Sequence, residues 1–178
     1  MKTRIVLALV LFLVPLSLGT LEAKELLIKA NEVAGIHPSD KSVDLRLLMR
    51  FTLPEELRDK SVDFACVSFD ASCAGEKGAV SLEAFRVTTR WDASSVSWSG
   101  PWEKDGGDWD ADASADWVVA EGDGKTAYLD VTDIVNGWLE EPSSNLGILV
   151  KVGEPFSGTF TAEGALESPQ LRVLYPGR

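Results

Sequence analysis

The sequence predicts an all-β protein, an antiparallel β-sandwich with one short helix, preceded by a signal peptide. Three observations support this prediction. Short segments rich in Val, Leu, Ile, Phe and Thr alternate with clusters of Gly, Pro, Ser and Asp, a pattern typical of sandwiches. Helical spacing of apolar residues is brief and lies at 131–139. The chain begins with a basic and then apolar segment of the kind that directs export.

The N-terminal segment has the features of a cleavable signal peptide. Two basic residues precede the apolar run Ile5–Leu18, and small residues suited to cleavage follow at Gly19 and Ala23. The run is too short to span a bilayer comfortably. We therefore expect residues 1–23 to be a signal peptide, with cleavage at either small residue, and 24–178 to be one secreted domain. Its location would be extracellular, at the cell surface or periplasmic.

Seven segments are predicted to form strands. In chain order they are Glu25–Ala30, Ser42–Phe51, Val62–Phe69, Ala79–Thr89, Leu146–Val152, Ser157–Ala162 and Gln170–Tyr175. In the fourth segment, Val80 and Leu82 are in phase with each other, whereas Phe85 and Val87 are out of phase with them. A β-bulge near Ala84 would reconcile the two sets, so the sequence predicts one there.

The helix is predicted from apolar residues at helical spacing. They are Val131, Ile134, Val135, Trp138 and Leu139. Asp130 is the predicted N-cap, and Pro142 limits the length of the helix. Because Trp138 falls on the apolar face, we expect it in the core.

The two cysteines, Cys66 and Cys73, are predicted to form a disulfide. Disulfides are the usual state of paired cysteines in exported proteins. Metal binding by the pair is disfavoured because no further His or Cys lies nearby. A reactive redox pair is the other alternative, although the spacing is not Cys-x-x-Cys.

Charge excludes several classes of partner. The chain has 17 Lys and Arg against 28 Asp and Glu, a net charge of −11. This balance argues against nucleic acid and anionic membrane surfaces and permits divalent cations and neutral polymers. The only histidine, His37, precedes a proline and is interpreted as a loop residue. Because no known catalytic motif is recognisable, we expect no catalytic site.

Tryptophan is concentrated in one part of the chain, where five of the six tryptophans fall between Trp91 and Trp117. An exposed indole is a flat apolar surface on which a sugar ring can stack. Trp102 and Trp109 lie in Gly- and Asp-rich sequence, so these two are the predicted carbohydrate-binding residues. The alternative is that they fold back onto the core as a lid. Trp91 and Trp98 lie at strand ends and are expected to be structural.

The same stretch is acidic, with no Lys, Arg or His from Asp105 to Asp123. Its carboxylates suggest a site for calcium, a hard cation that prefers oxygen ligands. The candidate ligands are Asp105, Asp108, Asp110 and Asp112. The Asp-x-Asp-x-Asp spacing starts like an EF-hand loop, but Ala113 and Val119 replace its required Gly and Glu. A solvated acidic loop from Asp105 to Asp116 is the alternative.

Four segments in register resemble the DNRLRE-domain family. They are Leu47–Pro54, Ala79–Pro101, Ala127–Val150 and Ser168–Tyr175, and they include the family-like blocks Asp130-Val131-Thr132, Asn145-Leu146-Gly147 and Pro169-Gln170-Leu171. The Asp-Asn-Arg-Leu-Arg-Glu string itself is absent. The resemblance implies a jelly-roll-like sandwich and an exported, non-catalytic module of the carbohydrate-binding kind.

From these features we expect a secreted module that binds extracellular or cell-surface polysaccharide, with calcium as a candidate cofactor. One alternative is a structural component of a surface assembly. A small polysaccharide lyase or hydrolase on the same scaffold is a third. We expect no nucleic-acid partner and no membrane insertion after cleavage of the signal peptide.

Overall fold

The computed structural model describes residues 22–38, 45–74, 80–119, 122–153, 159–161 and 169–177. For 72–74, 80, 112–119, 122–125 and 159–161 it describes the backbone alone. The predicted signal peptide lies outside these residues apart from its last two positions. Glu22 and Ala23 belong to the first strand, where they pair with Gly177 and Pro176. Cleavage after Ala23 would therefore shorten that strand, whereas cleavage after Gly19 would leave it whole.

The described residues form ten strands and one α-helix. In chain order they are β1 (Glu22–Lys29), β2 (Glu32–Ile36), β3 (Arg46–Arg50), β4 (Phe64–Ala74), β5 (Val80–Val87), β6 (Trp109–Val119), β7 (Gly122–Asp130), α1 (Thr132–Glu140), β8 (Ile148–Val152), β9 (Thr159–Thr161) and β10 (Gln170–Gly177). Short 3-10 turns occupy Glu55–Leu57 and Pro142–Ser144. Strands β2, β6 and β7 were not among the predicted elements.

The strands form two antiparallel five-stranded sheets. Sheet A has the order β1-β10-β4-β7, with β9 pairing beside the C-terminal end of β4. Sheet B has the order β2-β3-β8-β5-β6. The predicted all-β sandwich with one short helix is confirmed, and each sheet has an inner face toward its partner and an outer face.

The inner faces build the main core through simple alternation along each strand. In β4, Val67 and Phe69 are buried, whereas Ser68 between them faces the other way and is half-buried. The helix covers one end of this core. Trp138 exposes 1% of its surface, which confirms its predicted place in the core.

Sheet B is also covered on its outer face, by a second apolar cluster. We call the part of the chain that covers it, residues 91–109, the tryptophan layer. The cluster joins side chains of the sheet with tryptophans from that layer: Ile36, Leu48, Phe85, Val87, Leu149, Trp91 and Trp102, with Trp98 and Trp109 packed against them. Apolar residues on both faces of a strand are the expected consequence of covering both faces of a sheet.

This second cluster explains the phase change in β5 without a bulge in that strand. Leu82 and Ala84 face the main core, and Phe85 and Val87 face the tryptophan layer, so the strand alternates normally. A register shift does occur between Phe85 and Arg86, next to the predicted position. The extra residues are on β6, where pairing passes from Ser114 to Asp110.

Helix α1 begins one residue later than Asp130 predicts. The N-cap position is Val131, and no side-chain hydrogen bond caps the helix there. Asp130 still accepts a bond of 3.0 Å from the backbone N–H of Thr132, so its carboxylate compensates an N–H in the first turn.

The predicted disulfide between Cys66 and Cys73 is wrong. Both residues lie in β4, and seven residues of extended chain separate their Cα atoms by about 20 Å or more. A disulfide requires a separation of less than about 7 Å. Cys66 is a free, buried cysteine on the outer face of sheet A. The side chain of Cys73 lies outside the described residues.

Among the helices that the structure describes, none is long and apolar enough to cross a membrane.

Candidate functional site: an outer-face groove

Trp102 does not form the predicted stacking surface. It exposes only 9% of its surface and packs in the tryptophan layer. Its indole N–H donates to the carbonyl oxygen of Ser97 at 2.9 Å. In the structure Trp102 folds back onto the protein as a lid, which is the alternative to sugar stacking that the sequence also allows. Trp91 is structural as predicted, because it is buried and its indole N–H donates to Leu146 at 2.8 Å.

Trp109 is half-buried and its ring is engaged on the protein itself. The Arg46 guanidinium lies 5.2 Å from its centroid and 4.5 Å from that of Trp98. The ring of Phe85 is 5.7 Å away at a tilt of 42°. Arg46 also donates to the carbonyl oxygen of Gly106 at 2.8 Å. These cation–π contacts hold the tryptophan layer together and leave little of the Trp109 ring for a sugar.

Asp108 organises the loop that precedes β6. Its carboxylate accepts from the Thr89 hydroxyl at 2.8 Å and from the backbone N–H groups of Glu103 and Lys104 at 2.9 and 3.1 Å. Burial raises the pKa of this carboxyl, but these hydrogen bonds outweigh burial and hold the pKa below its usual range. Asp108 is therefore a structural anion that ties 103–104 to the end of β5.

Removing this anion should destabilise the fold. We expect Asp108→Ala to lower the free energy of unfolding at neutral pH by about 2 kcal/mol, because three hydrogen bonds to a charged group are lost. A carboxyl whose folded pKa is lowered stabilises the fold above its unfolded pKa of about 4 and ceases to do so as the pH falls through the folded value. The deficit of the variant should therefore shrink in urea unfolding at acid pH.

Asp105→Ala is the matched control, because Asp105 is exposed in the same loop. We expect it to change the free energy of unfolding by no more than about 0.5 kcal/mol. Equal losses in the two variants would contradict the role given to Asp108.

The three predicted calcium ligands whose side chains the structure describes, Asp105, Asp108 and Asp110, do not form a metal-binding group. Asp110 forms an ion pair with Arg86 at 2.5 Å across the β5–β6 pairing. The Asp108 carboxylate is occupied by its hydrogen bonds to Thr89, Glu103 and Lys104. The side chain of Asp112 is outside the described residues, and β6 makes the stretch from Trp109 a strand, not a loop. Among the described side chains, no group of three or more His, Cys, Asp or Glu is placed to hold a metal ion.

A groove of ≈ 500 Å³ does lie beside this region, and Trp109, Asp108, Thr89 and Lys104 contribute to its lining. The structure thus brings one predicted sugar-binding residue and one predicted calcium ligand together. Because Trp109 is half-buried and its ring packs against Arg46 and Phe85, this groove is the weaker candidate. His37 is exposed, and its Nδ1 lies 2.9 Å from the carbonyl oxygen of Pro38.

The stronger candidate is a groove of ≈ 650 Å³ on the outer face of sheet A, here called the sheet-A groove. Leu27 exposes 59% of its surface and Tyr128 48%, and they are the exposed large apolar side chains among the described residues. Leu27 belongs to β1 and Tyr128 to β7, the two outermost strands of the sheet's main order. The other lining residues come from β4, β7 and β10: Phe64, Cys66, Ser68, Asp130, Gln170 and Arg172.

Strand register places these residues in two rows that cross the sheet. One row runs Leu27, Arg172, Cys66 and Asp130. The adjacent row runs Lys29, Gln170, Ser68 and Tyr128. Neighbouring strands are about 4.8 Å apart, so each row spans roughly 14 Å, enough for a chain of a few sugar residues lying across the strands.

Charges in the groove are balanced. The Arg172 Nε is 3.1 Å from the Glu25 carboxylate, and both side chains are about half exposed. At the other end, Asp130 accepts from the Thr132 hydroxyl at 2.6 Å. These contacts fix one cation and one anion in the groove while leaving them accessible to a ligand.

The floor of the groove contains the thiol of Cys66, which exposes 8% of its surface. Burial raises the pKa of this thiol, and the nearby Asp130 carboxylate raises it further, against smaller opposing effects of the Leu129 backbone and Arg172. The thiol is therefore protonated at neutral pH and is a poor nucleophile.

One signal in the sequence could have located this face. In Ala127-Tyr128-Leu129 the two flanking residues are buried, so alternation alone directs Tyr128 outward. The sugar-binding prediction rests on the tryptophan-rich stretch 91–117 and does not include this single tyrosine. The contribution of Leu27 could not be read from β1 alone, because its neighbour Leu26 is equally apolar.

A comparison of the chain with protein-family models and with curated proteins found no match. The resemblance to the DNRLRE-domain family stays a prediction.

Proposed function

We propose that this protein is a secreted, non-catalytic module that binds extracellular or cell-surface polysaccharide in the sheet-A groove. The observation that carries the proposal is the pairing of exposed Tyr128 and Leu27 with polar side chains in one groove. The tryptophan layer then has the role of covering sheet B.

The chemistry of the groove suits an uncharged sugar chain. A pyranose has an apolar C–H face that packs on an aromatic ring and a rim of hydroxyl groups that donate and accept hydrogen bonds. Tyr128 supplies the ring. Ser68 and Gln170 each both donate and accept, and Arg172 and Asp130 add one charged donor and one charged acceptor. The net charge of −11 disfavours polyanionic glycans.

Tyr128→Ala should weaken glycan binding about tenfold or more, which corresponds to about 1.4 kcal/mol, within the range of aromatic contacts. The measurement is retardation in affinity electrophoresis against a panel of neutral and acidic polysaccharides. Because Tyr128 is exposed, the variant should unfold at nearly the wild-type temperature, which circular dichroism would verify.

Thr126→Ala is the matched control, since Thr126 lies two residues earlier on the same strand face and bonds to Asp70, outside the groove lining. Its retardation should equal that of the wild type. Retardation that survives Tyr128→Ala but is lost in Trp109→Phe would move the site to the groove beside Asp108. Running each gel with calcium and with a chelator tests whether calcium takes part in binding.

Cys66 provides an independent readout of the same groove. In a Cys73→Ser background, a maleimide should label Cys66 slowly because the thiol is buried and protonated, and a bound glycan should slow labelling further. A glycan that retards the protein without protecting Cys66 would contradict the location of the site.

A reducing-end assay on the same mixtures detects turnover, and release of reducing ends would overturn the non-catalytic assignment.

A structural component of a surface assembly is the second candidate, and Leu27 favours it. Leu27 is the most exposed large apolar residue that the structure describes, and it lies on β1, an outermost strand of sheet A. Exposed apolar edge strands pair readily with other chains. Size-exclusion chromatography with light scattering tests this: oligomers that Leu27→Lys disperses would support assembly, and a monomer at every concentration would exclude it.

A further inference from the structure

Strand β1 is an edge of sheet A with apolar side chains on both of its faces. In the described part of the chain it pairs with β10 alone. Leu27 on the outer face exposes 59% of its surface, and Leu26 and Ile28 on the inner face are only partly buried against the main core. Because exposed apolar edge strands pair readily with further strands, this edge is an interaction surface.

The backbone groups of β1 that face away from the sheet are those of every second residue. The N–H of Ala30 donates to the carbonyl oxygen of Pro169, beside β10, at 3.1 Å. Along an antiparallel strand the backbone groups point to alternate sides from one residue to the next. Alternate residues therefore face β10 together with Ala30, whereas Glu25, Leu27 and Lys29 direct their N–H and C=O groups to the open edge.

The side chains of this segment are self-complementary. The sequence reads Glu25, Leu26, Leu27, Ile28, Lys29, so two opposite charges lie at equal distances from Leu27. A second copy paired antiparallel about Leu27 sets each Glu25 opposite Lys29 of the other copy, and the two Leu27 side chains opposite each other. Side chains so placed have Cβ atoms about 5 Å apart, close enough for ion pairs. On the inner face Leu26 lies opposite Ile28 of the other copy, which extends the main core.

Neighbouring registers lack this match. Centring the pair on Leu26 or on Ile28 sets Leu27 opposite a charged residue, and centring it on Glu25 sets two carboxylates opposite each other. We propose that the protein forms a two-fold symmetric dimer in which β1 pairs antiparallel with β1 of a second copy about Leu27. Because both copies use the same edge, the pairing closes at two copies.

The dimer joins the two sheet-A grooves at its axis. Leu27 lines the groove, so the row that runs Leu27, Arg172, Cys66 and Asp130 continues into the same row of the second copy. The joined row covers seven strand spacings of about 4.8 Å, or roughly 34 Å. That this row holds a longer stretch of sugar chain rests on the proposed function, whereas the dimer itself does not.

Sedimentation equilibrium over a range of protein concentrations measures the dimer and its dissociation constant. Because one strand from each copy makes a small interface, we expect a dimer that dissociates on dilution below about 10 μM. A monomer at every concentration overturns the proposal. Higher oligomers in place of the dimer also overturn it and favour the surface assembly.

Charge reversal tests the register, and both side chains are exposed, so the variants should fold. Glu25→Lys and Lys29→Glu each set like charges opposite each other and should raise the dissociation constant at least about tenfold. The double variant restores opposite charges and should return the constant to near the wild-type value. The ion pair of Glu25 with Arg172 is lost in Glu25→Lys and in the double variant alike, so it cannot account for the rescue. Single variants as dimeric as the wild type, or a double variant without rescue, overturn the pairing.

A cysteine at the axis gives a second readout, in a Cys73→Ser background whose remaining Cys66 is buried. In Leu27→Cys the two Cα atoms at the axis lie about 5.5 Å apart, within the range of a disulfide, so mild oxidation should link two copies. Lys29→Cys is the matched control, because its two copies lie more than about 13 Å apart. Equal cross-linking at both positions contradicts the register. Tyr128→Ala should leave the dimer unchanged, so the dimer and the proposed function fail separately.

Discussion

Gly147→Ala should lower the free energy of unfolding by about 3–5 kcal/mol, the largest effect we expect from a single methyl group in this chain. Gly147 has a φ of +105°, and a Cβ there would lie 2.6 Å from the carbonyl oxygen of Met49 and 3.4 Å from the indole nitrogen of Trp91. The backbone conformation alone costs a non-glycine residue about 1–3 kcal/mol. The clash with backbone adds a comparable amount, because β3 cannot move without disturbing its pairing.

The position of Gly147 explains why so small a change matters. Its carbonyl oxygen accepts from the N–H of Val87 at 3.0 Å, and the preceding carbonyl accepts from Trp91 at 2.8 Å. The residue thus connects the entry into β8 with both β5 and the tryptophan layer. Since a loss of 3–5 kcal/mol is a large fraction of the stability of a typical domain, the thermal midpoint should fall by about 10 °C.

Gly137→Ala is the matched control, because the substitution is the same and the expected sign is opposite. Gly137 lies in α1, and the nearest atom to a new Cβ is Arg86 Nη1 at 3.4 Å, an ordinary contact. Alanine in a helix is favoured over glycine by about 0.5–1 kcal/mol. Thermal and urea unfolding followed by circular dichroism measure both variants. A Gly147→Ala protein as stable as the wild type would show that the turn tolerates a side chain.

The inner architecture of the sandwich could be predicted from the sequence because alternation reports one buried face. The predicted segments overlap seven of the strands, β1, β3, β4, β5, β8, β9 and β10, and the helix is present with Trp138 inward. The same rule misled where both faces are buried. In β5 the second apolar set, Phe85 and Val87, suggested a bulge, whereas it faces the tryptophan layer.

The sequence predicts a loop for the acidic segment, and its aspartates are residues that disfavour strands. The structure has a strand there, because the charge of Asp110 is neutralised by Arg86 across the pairing with β5. Such a partner lies 24 residues away, and spacing within the segment does not reveal it. The segment 110–117 does alternate polar with apolar residues, but its apolar positions are mostly alanine, which is depleted in strands, so the alternation is a weak signal.

The tryptophans show why residue type alone did not locate a binding site. A large aromatic side chain serves equally well as a stacking surface and as a cover for a sheet. Which role applies depends on the area it must cover, and sheet B has an apolar outer face made by Leu48, Phe85 and Leu149. The tryptophan layer covers this face, whereas the described part of sheet A has a groove on its outer face, with Tyr128 and Phe64 as the aromatic side chains of its lining.

The attachment of α1 to the segment that precedes β4 yields the second large expected effect, from an isosteric change. Asn136 Oδ1 accepts from the backbone N–H of Val62 at 2.9 Å, and Asn136 Nδ2 donates to the carbonyl oxygen of Val62 at 3.1 Å. Val62 is buried, so no solvent replaces these bonds. One side-chain amide therefore satisfies both backbone polar groups of the buried residue Val62, as a neighbouring strand would.

Asn136→Asp keeps the shape of the side chain and the oxygen that accepts from the Val62 N–H. It replaces Nδ2, which donates to the Val62 carbonyl oxygen, by a second oxygen. Ionised, that oxygen faces the Val62 carbonyl oxygen with no proton between them. We expect a loss of about 3 kcal/mol at pH 7, from a buried acceptor left without a partner and from repulsion. Protonated, the new carboxyl donates to Val62, so folding raises its pKa. Stability contributed by a carboxyl with a raised folded pKa is fully present below the unfolded value of about 4 and is lost as the pH rises through the folded one.

The variant should therefore approach wild-type stability at acid pH, in urea unfolding from pH 3 to pH 7. Asn136→Ala is the control, because it removes both bonds without introducing a charge and leaves no group at 136 to titrate. Its deficit relative to the wild type should stay constant over the same range. If the deficits of the two variants follow the same pH course, the effect is one of lost contacts alone. If the deficit of Asn136→Asp closes at acid pH while that of Asn136→Ala persists, the hydrogen bond that Asn136 donates to the Val62 carbonyl holds the helix against the segment that precedes β4.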